Sequence, residues 1–279
     1  MNEKIAENLG LLLKNRSSDT KRAYLFFIKR FLTFAGLKES FDEFDIRKFC
    51  ALLEKEGKSR SYINSAFSAI KMLLRAKKQP LMISSRDILP KLKETEQPTM
   101  ASDNVRKLIK AVREQGSQKE RFYLALSTIY GLRQGEMEIA SKKDIDINNG
   151  TILVHTEKGG RVRKHLIPEP VFHIIAGFSF DGGSDLNMMF KRICSLATVK
   201  RRPKEVWHSP RRRLITELIT RGVKREEVAN FMRWKNTAGI TSYRNRNDPT
   251  AMVDKYYHPE DRAVDEEVFE KHPFLGSWQ

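Results

Sequence analysis

The sequence predicts a mostly α-helical chain in two parts, the second of which carries a small antiparallel β-sheet. Three observations predict this. Apolar residues recur at the i, i+3, i+4, i+7 spacing of a buried helix face through the first third, and again beyond it. The periodicity breaks between about Pro90 and Asp103, where Pro90, Pro98 and the polar run LKETEQPTMASD read as an extended linker. β-Branched residues gather around two turn signals between Ile145 and Ile167.

Each element follows from its own residues. Ser17, Ser18 and Asp19 are good N-cap residues, and Tyr24, Phe27, Ile28, Phe31, Leu32 and Ala35 form the stripe of a helix that Gly36 ends. Phe44, Phe49, Leu52 and Leu53 suggest a second helix ending near Gly57. Tyr62, Ile63, Phe67, Ile70, Leu73 and Leu74 mark a third. Lys21, Arg22, Lys29, Arg30, Arg60, Lys71, Arg75, Lys77 and Lys78 fall at other positions. Any one of them reads as solvated surface; their clustering also suits a DNA-facing surface.

Beyond the linker, Val105, Leu108, Ile109 and Val112 restart the helical spacing, and an apolar helix runs from Phe122 to Tyr130. Ile145-Asp146-Ile147 and Thr151 to Val154 flank Asn148-Asn149-Gly150, a hairpin signal. A second turn, Lys158-Gly159-Gly160-Arg161, precedes Val162 to Ile167, which makes a three-stranded sheet. From Val171 the pattern is helical again, with a loop near Asp181-Gly182-Gly183-Ser184.

With 279 residues, 40% of them hydrophobic, the chain has material for one large or two modest cores. No apolar run approaches bilayer length, and MNEKIAENLGLLLKN has no small-residue cleavage site, so neither a membrane span nor a signal peptide is expected. Cys50 and Cys194, far apart in apolar-patterned segments, read as buried free thiols of a cytoplasmic protein. A net charge of +17 points to a polyanionic partner. Ribosomal proteins, nucleic-acid enzymes and some membrane-surface proteins share that balance, so charge narrows the partner and leaves the chemistry open.

Four segments of the second part bear chemistry. Arg133, just after the Gly131-Leu132 break, has a guanidinium able to give two hydrogen bonds to a phosphate. Lys158, at a hairpin tip, carries an ammonium able to reach a leaving oxygen. His208-Ser209-Pro210-Arg211 opens an amphipathic helix with Leu214, Ile215, Leu218 and Ile219, so histidine and arginine can address one anion beside free helix N–H groups. Trp234 is followed by Tyr243. Taken singly, these are equally a helix end, a turn lysine, a packed histidine with surface arginines, and a core tryptophan. The six histidines never stand with cysteines or carboxylates in a zinc spacing, so no metal is expected.

Arg133, Lys158, His208-x-x-Arg211, Trp234 and Tyr243, in this order, resemble the tyrosine recombinase (phage integrase) family. Gly131-Leu132-Arg133 with Glu136 looks like the first family arginine and its supporting acidic residue, and Asp144-Ile145-Asp146, Ile152, Val154, Lys158, Gly159 and Pro168 look like the hairpin with the family lysine. The 26 positions from His208 to Trp234 and the nine from Trp234 to Tyr243 are the family's usual distances. In motif detail His208-Ser209-Pro210-Arg211, Tyr243-Arg244-Asn245 and Ala251-Met252-Val253 are similar to Cre-like members, which share the tryptophan where most of the family has histidine.

The resemblance implies a two-domain DNA clamp. A helical, SAM-like core-binding domain would span 1–95, a linker 96–103, and an α+β catalytic domain 104–279, with a C-terminal tail that contacts a neighbouring protomer. It implies site-specific recombination through a 3′-phosphotyrosyl intermediate, without metal or energy cofactor, by a nucleoid-associated homotetramer on duplex DNA bearing an inverted-repeat site. Tyr243 would be the nucleophile, Arg133 and Arg211 the phosphate clamp, and Lys158 the acid for the departing 5′ oxygen. His208 would accept the tyrosine proton or donate to phosphate, Trp234 would position the phosphate, and Glu136 would orient Arg133. Lys21, Arg22, Arg60, Lys71 and Arg75 would contact DNA. Tyr256 and Tyr257 stay open as alternative nucleophiles, and a type IB topoisomerase or a non-catalytic DNA-binding accessory protein as alternative functions.

Overall fold

The computed structural model describes residues 3–36, 38–79, 84–88, 99–156, 160–180, 185–203, 205–234 and 261–279. The chain divides into two compact units, Met1–Thr95 and Glu96–Gln279.

The first unit holds α1 (Glu3–Leu13), α2 (Ser18–Ala35), α3 (Glu43–Lys55), α4 (Arg60–Ala76) and the single turn α5 (Ser85–Ile88). Ser17 caps α2 by accepting from the Thr20 N–H at 3.3 Å, and Gly36, with φ of +77°, turns the chain out of it. Asp42 and Asp45 cap α3 reciprocally. The helix that buries most of its residues in this unit, α4, packs against α1, α2 and α3, and Ile63, Ala66, Ala69 and Ile70 are wholly buried. Phe31 fills the space beside it, edge-on to Phe41 at 5.0 Å and Phe49 at 5.4 Å. Phe44 is the exception to the expected stripe. Ile46, Phe49, Cys50 and Leu53 define the inner face of α3, which leaves Phe44 on the opposite side and 69% exposed.

The second unit is built around α7 (Gln118–Ile129), which packs on α6 (Ser102–Gln115), α9 (Glu169–Ala176) and α11 (His208–Thr220). It also contains α8 (Gln134–Glu138), α10 (Leu186–Leu196), α12 (Arg225–Phe231) and α13 (Asp261–Glu270). The strands β1 (Ile145–Asp146), β2 (Thr151–Val154) and β3 (Arg163–Leu166) form an antiparallel sheet in chain order, with Ile145 opposite Ile152, Thr151 opposite Leu166 and Val154 opposite Arg163.

The inward face of β3 carries Arg163 and His165, both buried, while Val162 just before the strand is 53% exposed. Side chains alternate across a strand, and here the inward positions meet Asp265 of α13 as well as the ring of Phe231. Helix α13 packs on β3 and α12. Val264 and Val268 of this helix and Phe274 and Trp278 after it are buried, and Trp278 Nε1 donates to Thr128 Oγ1 at 3.2 Å. The described part of the C-terminal tail thus seats on the second unit of its own chain. No described helix is long and apolar enough to cross a membrane. Cys50 and Cys194 are buried free thiols.

Candidate active site

The corner between α7 and α8 sets the first group. Gly131, with φ of +58°, takes the left-handed conformation that ends α7, and the Leu132 N–H donates back to the Leu126 carbonyl at 3.2 Å. A Cβ at Gly131 would lie 3.0 Å from the Met232 sulfur, a tight contact that the methionine would have to yield to, so it is the positive φ that calls for glycine here. Arg133 then stands at the N-cap of α8. Its backbone N–H donates to Glu136 Oε2 at 2.8 Å and its Nη1 to Oε1 at 2.6 Å. The Glu136 side chain is fully buried, whereas that of Arg133 is 23% exposed.

Helix α11 brings the second arginine to the same place. His208 is its first residue and half-buried; Arg211, one turn on, is wholly buried. Arg211 donates to the Gly131 carbonyl and, at 3.4 Å, to that of Met232, and its Nη1 lies 3.9 Å from Glu136 Oε2. Trp234 covers the Arg211 guanidinium from the end of α12.

A third arginine completes the cluster. Arg233 is buried, has φ of +62°, and places Nη2 3.4 Å from Glu136 Oε2. Its Nη1 donates to the carbonyls of Tyr130 (3.2 Å) and Phe231 (3.1 Å) and to His165 Nε2 at 3.1 Å. That last contact settles the histidine tautomer: Nε2 accepts, so Nδ1 carries the proton and donates to Asp265 Oδ1, 3.1 Å away. Asp265 also accepts from Arg163 Nη2 at 2.6 Å and from the Leu166 N–H at 2.7 Å.

Burial opposes the Glu136 charge, yet Arg233, Arg211 and the N–H and guanidinium of Arg133 outweigh it and hold the carboxyl below its usual range. Burial also lowers Arg233, to about 10, against the attraction of Glu136, so it stays protonated at neutral pH. His165 is driven by burial to about 4 and stays neutral. One carboxylate facing three guanidinium groups leaves surplus positive charge, and the partly exposed Arg133 is where that surplus meets solvent. Such a site can bind an anion and stabilise charge growing on it.

The chain leading into β3 is anchored beside this cluster. The Arg161 N–H donates to the Arg233 carbonyl at 3.2 Å, and a Cβ at Gly160 would fall 2.5 Å from that same oxygen, so only glycine permits the approach. Lys158 itself, Tyr243, Tyr256 and Tyr257 lie outside the described residues. Of the residues expected in the site, the structure therefore brings together Arg133, Glu136, Arg211 and Trp234, with His208 one helical turn from Arg211. Among the described residues no group of His, Cys, Asp and Glu is placed to hold a metal ion.

The expected DNA contacts lie in the first unit. Lys71 and Arg75 are exposed one turn apart on α4, and Arg60 is its first residue. Lys21 and Arg22 sit in the first turn of α2, where Arg22 pairs loosely with Asp19 at 3.7 Å. Sequence reasoning missed Arg233, His165, Arg163 and Asp265, whose role depends on contacts between distant segments.

No family model matches the chain. It is 27% identical over 200 residues to the tyrosine recombinase XerA of Pyrococcus furiosus, a match that covers 71% of this chain and 67% of that protein. Among solved structures it is similar to a lambda integrase (75–356) dimer bound to a COC′ core site, with a TM-score of 0.67 and 15% identity over 93% of this chain and 99% of that one. It is also similar to the Tn1549 transposon integrase (82–397) in complex with circular intermediate DNA, with a TM-score of 0.64 and 18% identity over 95% of this chain and 99% of that one. At such identities the structural likeness shows the fold.

Proposed function

We propose that the chain is a member of the tyrosine recombinase family, to which its relative XerA belongs, and that it is a site-specific DNA recombinase that works through a 3′-phosphotyrosyl intermediate formed by Tyr243. The observation that carries the reading is the cluster of Arg133, Arg211 and Arg233 around the buried Glu136. Breaking a phosphodiester needs a nucleophile, a counter to charge on the phosphorane and an acid for the departing oxygen. Arg133 and Arg211 supply the counter-charge, held in place before the substrate arrives. Pre-organisation matters because donors that need not move lose nothing on reaching the transition state.

Tyr243 attacks the phosphorus and displaces the 5′ oxygen, which Lys158 protonates. His208 takes the phenolic proton or donates to a phosphate oxygen. Because the tyrosyl ester keeps the bond energy, an incoming 5′ hydroxyl restores the backbone in the reverse reaction. Duplex DNA is the partner; we propose that it carries an inverted-repeat site, that four protomers assemble on it, and that the two domains, 1–95 and 104–279, close around it through the linker 96–103. The tail beyond Tyr243 contributes to contacts between protomers in that assembly. Lys71 and Arg75 of α4, with Lys21, Arg22 and Arg60, supply phosphate contacts from the first domain.

The test is strand exchange between two labelled duplexes that carry an inverted repeat found beside the gene. Recombinant products that vanish in Tyr243→Phe support the reading. Plasmid relaxation without exchange would assign the chain to topoisomerase chemistry, and binding without either would leave it a DNA-binding accessory protein.

A further inference from the structure

We propose that Arg233 is a positioning residue for strand cleavage: held by His165 and Asp265, its buried guanidinium fixes Glu136 and thereby aims Arg133 and Arg211. The inference rests on the proposed reaction and adds to it a residue outside the set that touches phosphate.

Arg233 adopts φ of +62°, a region that residues other than glycine seldom occupy, and it does so with its side chain wholly buried. Such a conformation persists only where the surroundings over-determine it. Here they do. The guanidinium is shared among the carbonyls of Tyr130 and Phe231, His165 Nε2 and Glu136 Oε2.

The contacts have a direction. Asp265 is tied to β3 through the Leu166 N–H and Arg163, so its Oδ1 is fixed in the frame of the sheet. It accepts the proton of His165 Nδ1, which leaves Nε2 as the acceptor facing Arg233. Arg233 in turn reaches the Glu136 oxygen, Oε2, that lies 3.9 Å from Arg211 Nη1 and accepts from the Arg133 backbone. The main chain of Arg233 serves the same end: its carbonyl receives the Arg161 N–H at the end of the hairpin, and the next residue is Trp234, whose ring lies over Arg211. A small displacement at Arg233 therefore reaches both arginines, the tryptophan and the hairpin together.

The test uses the full chain and a duplex nicked beside the scissile phosphate, with single-turnover cleavage at saturating DNA, duplex affinity and thermal unfolding measured for each variant. Arg233→Met is expected to cleave roughly 10- to 100-fold more slowly, the scale of a misplaced reacting group, with duplex affinity unchanged. Arg233→Lys recovers part of the rate, because an ammonium can hold Glu136 without the planar fork. In an Arg133→Ala background Arg233→Met costs less than it does alone, because it acts through the same clamp; an effect of stability alone would be additive. Should Arg233→Met fail to fold, Asp265→Asn removes the charge that orients His165 at constant size, and it too slows cleavage without weakening DNA binding. Wild-type cleavage matched by a folded Arg233→Met or by Asp265→Asn, or full additivity with Arg133→Ala, overturns the inference and leaves the proposed function standing. No adduct from the wild-type protein on its own site would overturn both.

Discussion

The Arg211 guanidinium lies under the indole of Trp234, with its central carbon 5.6 Å from the ring centroid. An aromatic face of that kind stabilises a cation by about 0.5–2 kcal/mol, more as water is excluded, and it leaves the guanidinium edge for hydrogen bonds. Trp234 is thus placed to hold Arg211, and in the proposed mechanism its own N–H also serves the phosphate.

The two contributions of Trp234 separate by substitution. Trp234→Phe keeps a ring over Arg211 and loses the N–H donor, so thermal stability holds while cleavage slows. Trp234→Ala removes both, and stability and cleavage fall together. Equal cleavage by Trp234→Phe and wild type would assign the residue to packing alone.

Arg133→Ala and Arg211→Ala both lose cleavage far more than DNA binding, by about 2.7–4 kcal/mol in the barrier on the scale of a lost oxyanion donor. They differ in stability. Arg133 is partly exposed, whereas Arg211 is buried and donates to the carbonyls of Gly131 and Met232, which its removal leaves unpaired. Unfolding temperatures therefore drop for Arg211→Ala and much less for Arg133→Ala. Equal losses of binding and cleavage in either would show an arginine that only binds.

Much of this arrangement is legible in local sequence. The stripes of α2 and α4 repeat at helical spacing, the turn at Asn148-Asn149-Gly150 sets the pairing of Asp146 with Thr151, and Gly131 marks the exit from α7. What escapes is non-local. The run Arg163-Lys164-His165-Leu166 has no apolar alternation to mark an inward face, and the burial of Arg163 and His165 depends on Asp265 a hundred residues on. Nothing local distinguishes Arg233 from the chain's other basic residues; its place follows only when Glu136, 97 residues earlier, is brought against it. Phe44 shows the converse error, an aromatic counted toward a stripe that passes on the other side of α3.

Acid destabilises the second unit. Burial holds His165 near 4 and His272 near 3, against the ordinary 6.5 of the unfolded chain. Both are neutral when folded, so below pH 6.5 the unfolded chain binds more protons; stability is fully present above that pH and declines as pH falls toward 4. Each histidine contributes up to about 1.4 kcal/mol per pH unit in this window. The lowered carboxyls of Glu136 and Asp144 act in the same direction at lower pH. Thermal unfolding followed from pH 7 to 4 checks this: His272→Gln flattens the slope, and an unaltered slope would contradict the assignment.

DNA affinity falls steeply with salt, because contacts from lysine and arginine release counterions from phosphate. Lys71→Ala and Arg75→Ala each weaken binding to all duplexes alike and reduce the slope of log affinity against log salt by about one. Filter-binding or anisotropy titrations over a salt series check the slopes. Affinity indifferent to salt would remove these residues from the DNA-facing surface.

The most direct test maps the covalent bond. A phenol with a reference pKa near 10 attacks at neutral pH only beside cations and a proton acceptor, and in the proposed mechanism Arg133, Arg211 and His208 supply those groups. A suicide duplex nicked beside the scissile phosphate is incubated with the protein, and the DNA-linked peptide is identified by proteolysis and mass spectrometry. The account predicts an adduct on the peptide that contains Tyr243 and none with Tyr243→Phe; an adduct on the peptide with Tyr256 and Tyr257 would contradict it.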